Sequence, residues 1–272
     1  MTGRGERALN YTVLTFFSFI ALYPVAGLLL SAVQPPGGSV GFALPRSVDL
    51  DNFAGAWTEG HFATYLRSSA IVTLSVVAVA TVLSILSGYA FGTMSFRGNR
   101  VLFYVFLIGL MVPLEGIVVP LYYDLRAASL TDTYWALVLP QIGLSVGFGT
   151  FWMRAFFLAA PRSLIEAAQI DGASNWRILW RVLVPFGRPA VLTMMVLIFM
   201  WTWNEFLLAL VMVSSEELRT APLGLAFFQG QHTAELTLLS SGAVIVALPV
   251  VAVYVALQRH FIQGMLSGAV KG

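Results

Sequence analysis

Long apolar runs alternate with short polar segments from one end of the chain to the other. The runs lie at about 11–33, 67–94, 101–123, 134–158, 189–213 and 236–258. Each reaches the ~20 residues that a helix needs to cross a bilayer. The pattern therefore predicts an all-α integral membrane protein with six transmembrane helices, making up a single transmembrane domain over 1–272. The second run carries Ser68, Ser69, Ser84, Ser87 and Gly88, and such small residues let helices approach closely in lipid. The third holds Pro113 and Pro120 with Glu115 between them. Both prolines should kink it, because proline removes a backbone donor and clashes with the preceding turn. No low-complexity tract or internal repeat stands out.

Composition narrows the class. The 272 residues are 58% hydrophobic and 10% charged, with a mean hydropathy of +0.82. Soluble domains carry about 25% charged residues, and this length leaves no room for a separate soluble domain. The net charge of +2 comes from basic residues beside the spans, which are orientation signals and not a nucleic-acid surface. With the N-terminus placed in the cytoplasm, eleven of the fifteen Lys and Arg fall on inner segments. Both termini are therefore expected in the cytoplasm of a cell with its plasma (inner) membrane around it. The first run is longer than a signal-peptide core and contains Tyr23-Pro24, so it reads as an uncleaved first span. The chain has no Cys, which removes disulfides and thiolate metal sites.

One long polar segment, 161–185, stands between the fourth and fifth runs. Ser163 and Glu166 have capping-box spacing for a helix start. Gly172 suits the left-handed residue that ends a helix, and Ser174 can cap a second one. Two short helices with a bend are expected, with Leu164, Ile165, Ile178 and Trp180 packing the pair onto the spans. Ala167 and Ala168 present a face without bulk, so that helix can sit deep in a partner's groove.

The residues Glu166-Ala167-Ala168, Gly172, Val182 and Val184-Pro185 resemble the EAA loop of ABC importer permeases, with Val in place of the usual Ile and Leu. Gln258 to Gly264 and Ser267 to Gly272 are similar to the C-terminus of the carbohydrate-uptake, maltose-type members, and Trp203-Asn204-Glu205-Phe206 is similar to their fifth span. The resemblance covers nearly the whole chain. It implies a cytoplasmic coupling-helix loop that docks an ATPase through Ser163, Glu166, Ala167, Ala168, Asp171, Gly172 and Ala173. It also implies a tail, Gly268, Ala269, Val270, Lys271 and Gly272, that reaches between the ATPases. The partners implied are a second, different permease subunit, two ATPase subunits and an extracytoplasmic solute-binding protein. This chain would bind no cofactor, with ATP and Mg held by the ATPases, and would be no enzyme itself. It would line half of the pathway of a sugar-type importer.

The membrane-buried polar residues are candidates for that pathway. An acidic residue at the centre of a span costs roughly 3 kcal/mol on insertion scales, so Glu205 must face the bundle or water. Glu205 and Asn204 can line the path or can lock helix to helix. Glu115 can be functional or simply lie beside a kink, and Trp201 can stack on a sugar or sit at the membrane interface. No catalytic set is present: there is no Gly-x4-Gly-Lys-Ser/Thr nucleotide loop. Asp171 stands alone, and the three His residues are far apart, so no metal site is expected. The alternative function, from another class, is a stand-alone secondary carrier or channel, for which Glu115 and Glu205 are the only embedded charges at hand.

Overall fold

The computed structural model describes residues 4–35, 42, 44–45, 47–231 and 235–269. Among them the chain is helical, with no strand. The helices are α1 (Arg4–Ala32), α2 (Asp51–Glu59), α3 (Phe62–Thr93), α4 (Asn99–Met111), α5 (Leu114–Ala127) and α6 (Tyr134–Ala159). There follow α7 (Arg162–Ile170), α8 (Asn175–Ile178), a π turn (Leu179–Leu183) and α9 (Val184–Phe186). The rest are α10 (Arg188–Trp203), α11 (Leu207–Met212), α12 (Ala221–Gln231) and α13 (Leu236–Ala269).

Four of these helices are long and apolar enough to cross a membrane, in α1, α3, α6 and α13. The other two candidate crossings are bent. α4 and α5 meet at 98° across Val112-Pro113. Pro113 forces the residue before it out of the helical region, and Val112 has ψ 117. Pro120, by contrast, sits inside α5. The expected fifth span over 189–213 is not one helix either. α10 ends at Trp203 and α11 begins at Leu207, while the segment Asn175–Phe186 joins α10 at 80°. Counting each bent pair as one crossing gives up to six among the described residues.

Two compact units account for the chain. The first comprises Met1–Ala63 with Leu223–Pro249. In it the buried Asn52 amide donates to the carbonyls of Ala32 (3.1 Å) and Gln34 (2.7 Å). The Ser241 hydroxyl donates to the same Ala32 carbonyl at 3.0 Å. Phe62 is fully buried with its ring edge-on to Phe228 at 5.7 Å. Gly242 makes room for it, since a Cβ there would lie 2.9 Å from the ring.

The second unit comprises Thr64–Pro222 with Val250–Gly272, and α6 runs through its centre. α4, α10 and α11 all contact α6. α3 approaches closely enough that a Cβ on Gly88 would stand 2.5 Å from Met153 Cβ. The hydroxyls of Ser87 and Thr150 share a 2.6 Å hydrogen bond across the same seam. In lipid there is no hydrophobic drive between helices, so close packing over small residues and interhelical hydrogen bonds hold them together. On the other side of α6 the Trp152 indole N–H donates to the Ala190 carbonyl at 3.0 Å, which fixes the start of α10.

Candidate functional site

The segment from Pro161 to Phe186 folds as an exposed pair of short helices on a buried root. No residue of α7 is buried. Glu166 and Ala167 are exposed and Ala168 is half-buried, so the small face is open to a partner. The helix ends in a left-handed Gly172, φ 70. Its terminal carbonyls are closed by Ala173 N–H to Ala168 O (2.9 Å) and Gly172 N–H to Gln169 O (3.0 Å), the paired bonds of a Schellman motif. Asp171 occupies the C-cap. Ser174 then caps α8, its hydroxyl oxygen accepting from Arg177 N–H at 3.4 Å.

The root comes next. Ile178, Leu179 and Leu183 are essentially fully buried, whereas Leu164, Ile165 and Trp180 are only half-buried. The helix widens over Leu179–Leu183, where Val184 N–H reaches back five residues to Leu179 O. Gly187 lets the chain pass against Phe156 of α6, whose ring would be 2.5 Å from a Cβ. The helix pair thus stands on α6 and α10 through this root, with Ile170 (86% exposed) and Trp176 (64%) on its outer side.

One expectation for this segment fails. Ser163 and Glu166 do not form a capping box. Pro161 is the N-cap and makes no side-chain cap bond. Pro161, with ψ 123, is the last extended residue before the helix, which begins at Arg162 and not at Leu164 as a Ser163 cap would require, so Ser163 is left inside the first turn.

The polar candidates within the apolar runs gather at the two breaks. Trp201, Asn204 and Glu205 lie at the α10–α11 break. Trp201 is 53% exposed, with its ring edge-on to Phe148 at 4.7 Å. Asn204 is exposed and donates back to Met200 O at 2.7 Å. Glu205 turns its carboxylate onto the start of α11 and accepts from Leu208 N–H (2.8 Å) and Ala209 N–H (3.3 Å). That bond pattern gives Glu205 a structural task, stabilising the N–H groups that a helix start leaves unpaired. Glu115 lies at the other break, exposed in the first turn of α5. Of the tail, Gly268 and Ala269 are the last residues of α13, and Val270, Lys271 and Gly272 lie outside the described residues.

Asp132 was not singled out by the sequence. It has φ 56, a left-handed conformation that Asp tolerates better than most side chains. Its carboxylate accepts from Ser214 N–H (2.9 Å), Ser215 N–H (2.8 Å) and the Ser215 hydroxyl. Its own N–H donates to Met212 O at 2.9 Å. The Ser215 hydroxyl above all, then the Ser215 N–H, hold the carboxyl below the usual aspartate value, against a small opposing effect of burial. Nearby, Ser68 donates to Glu217 O at 2.9 Å and Ser69 accepts from Ala221 N–H at 2.8 Å. The 212–221 connection is thereby fastened at both ends. The signal for it, an Asp in a short turn before Thr133, says nothing about a partner 83 residues away.

Comparison with known proteins agrees with this architecture. The family described as binding-protein-dependent transport system inner membrane component matches residues 80–267. The chain is 32% identical over 263 residues to a probable ABC transporter permease protein, YurM, of Bacillus subtilis, covering 96% of this chain and 87% of that one. It is also 32% identical to the arabinooligosaccharides transport system permease protein AraQ of Halalkalibacterium halodurans, covering 94% of each. Its fold is similar to that of a chain in the crystal structure of a bacterial ABC transporter involved in the import of the acidic polysaccharide alginate. The TM-score is 0.79 at 23% identity, covering 96% of this chain and 99% of that one. The chain belongs to the family of binding-protein-dependent transport system inner membrane components, the ABC transporter permeases.

Proposed function

We propose that this chain lines half of the translocation pathway of an ATP-driven importer for a sugar or sugar-like solute and is driven through the 161–185 loop. The observation that carries the coupling role is the rigid, exposed α7–α8 lever standing on α6 and α10. The solute class rests on the arabinooligosaccharide-transport relative. Family membership favours this reading over a stand-alone carrier or channel.

In the mechanism, a partner ATPase receives α7 through the small Ala167–Ala168 face, with Glu166 beside it. Gly172 and the Schellman bonds keep the bend from opening, so closure of the partner moves the lever as one piece. The buried root passes this movement to α6 and α10 as rocking, the usual mode of alternating access. Trp201, Asn204 and Glu115 face the pathway in this reading, with Glu205 holding the break that presents them. Both termini lie in the cytoplasm, each bent pair counts as one of six spans, and the whole chain acts as one transmembrane domain of the plasma membrane. The other members of the assembly are a second, different permease, two ATPases holding ATP and Mg, and an extracytoplasmic binding protein. α13 continues ten residues past Arg259, about 15 Å of helix, and carries the Gly268–Gly272 tail towards the ATPases.

The chain has no Cys, so Ala167→Cys gives a single reporter thiol. A short thiol-to-amine crosslinker added to native membranes should yield an adduct with an ATPase that carries a Walker motif. A reactive thiol on folded protein that yields no such adduct would refute the docking role.

A further inference from the structure

Aromatic rings and the guanidinium groups of Arg100 and Arg154 lie where α3 turns into α4 beside the end of α6, with Arg97 in the turn itself. Phe91 is the hub, with its ring 5.8 Å from Phe96, 5.9 Å from Phe103 and 5.6 Å from Phe106. Its carbonyl accepts from Arg154 Nε at 3.3 Å. The Arg154 guanidinium lies 4.0 Å over the Phe103 ring, and that of Arg100 lies 5.9 Å from the Tyr104 ring. Arg97 follows Phe96 in the turn. Arg97 and Arg100 are exposed and Arg154 is half-buried. No Asp or Glu occurs between Glu59 and Glu115, or between Asp132 and Glu166, so the elements that form this corner bring no counter-charge to it.

Phe106 also opens a cleft of about 330 Å3 that runs between α4, α5 and α6. Leu110, Leu114, Ile117 and Leu144 wall it and Gly147 floors it, so its lining is apolar. From Arg154 to Pro140, at the cleft's far end, α6 rises ~21 Å. That exceeds the ~15 Å half-thickness of a bilayer's hydrocarbon core. A narrow cleft with an apolar lining suits a single hydrocarbon chain.

We propose that this corner binds one anionic phospholipid, with the phosphate on Arg97, Arg100 and Arg154 and one acyl chain laid in the cleft. The aromatic cluster sits at the headgroup level, where such rings favour the interface. The uncompensated charge selects a net-negative headgroup. A zwitterionic lipid would bring its own cation against the arginines, and inorganic phosphate would leave the cleft unused. The site rests on membrane embedding alone and is independent of the solute.

The full chain, purified with its associated subunits into nanodiscs, can be labelled with phosphatidylglycerol carrying a photoreactive acyl chain. Peptide mass spectrometry should place adducts within 106–121 or 140–147. Each interfacial arginine contributes about fivefold to binding an anionic surface. Arg97→Gln with Arg100→Gln should therefore lower labelling roughly 30-fold, and both sites are exposed, so the fold should survive. Gly143 lies on the cleft with nothing within 4 Å of its Cβ direction. Gly143→Leu should therefore block the acyl chain with the arginines intact and abolish the adducts. Equal labelling by photoreactive phosphatidylcholine would overturn the proposal. So would labelling undiminished in the double arginine variant, or cleft peptides free of adduct because a partner helix covers them.

Discussion

The chain is interrupted in two contrasting ways, at Gly172 and at Asn204–Phe206. At Gly172 the bend is exposed and closed by backbone alone. Ala173 and Gly172 N–H groups return to Ala168 and Gln169, glycine takes the positive φ, and water can serve whatever remains. At Asn204–Phe206 the break falls inside an apolar run, where water is scarce and an unpaired backbone group costs several kcal/mol. There the side chains do the pairing, Asn204 donating to Met200 O and Glu205 accepting from Leu208 and Ala209 N–H. The same geometric event thus needs a conformationally free residue at the surface and a hydrogen-bonding carboxyl side chain in the membrane.

The largest effect should come from removing that carboxyl cap. Glu205→Ala leaves Leu208 and Ala209 N–H unpaired in a poorly hydrated site, at a cost of about 2–4 kcal/mol. Thermal unfolding in nanodiscs should show a lower Tm and a smaller folded yield. Glu205→Gln keeps one acceptor oxygen and should lose about half as much. If Glu205→Ala instead keeps the Tm and loses only transport, Glu205 acts on the pathway and the contrast collapses. Gly172→Val tests the other interruption. A β-branched residue at φ 70 costs roughly 1–2 kcal/mol, but the strain is confined to the exposed bend. Global Tm should change little, while amide exchange at position 172 and at Ala173 rises and ATP hydrolysis runs without solute transport. Gly172→Asn, which tolerates the left-handed region, should recover most of the coupling.

The same contrast explains what the sequence could show. The span expected at 134–158 is α6, Tyr134–Ala159, because one continuous apolar run makes one helix. Gly172 was legible because only a left-handed turn explains a glycine there. The α10–α11 break was not legible. Averaged hydropathy runs straight through Trp203 to Leu207, and nothing local says that Glu205 will fold back on the chain. α2 and α12 were hidden in polar loops, since a short helix buries only a few residues such as Ala56 and Phe228. The Ser163–Glu166 spacing misled for a local reason, Pro161 taking the N-cap two residues early. Features that depend on backbone alone were readable, and those that depend on a distant or folded-back partner were not.

Asp132 stands between these extremes, and its effect should be the smallest. Like Gly172 it lies in a loop with positive φ, and like Glu205 it closes backbone donors with a carboxylate. It is half-buried in a loop between spans, where solvent still screens the interaction, so the global stability at stake is slight. Its folded-state acidity is enhanced by Ser215, which fixes the sign. The clasp is fully formed above the ordinary aspartate range and is lost as pH falls through the lower, folded value. Neutral-pH function should therefore be insensitive to small pH changes. Proteolysis between Met212 and Ala221 should accelerate only under acid conditions. Asp132→Asn removes the charge but keeps one acceptor oxygen. Its cleavage rate should be raised somewhat at neutral pH and no longer depend on acid. Acid-dependent opening that persists in Asp132→Asn would assign the clasp to another group on that connection, with Glu216 and Glu217 the next to test.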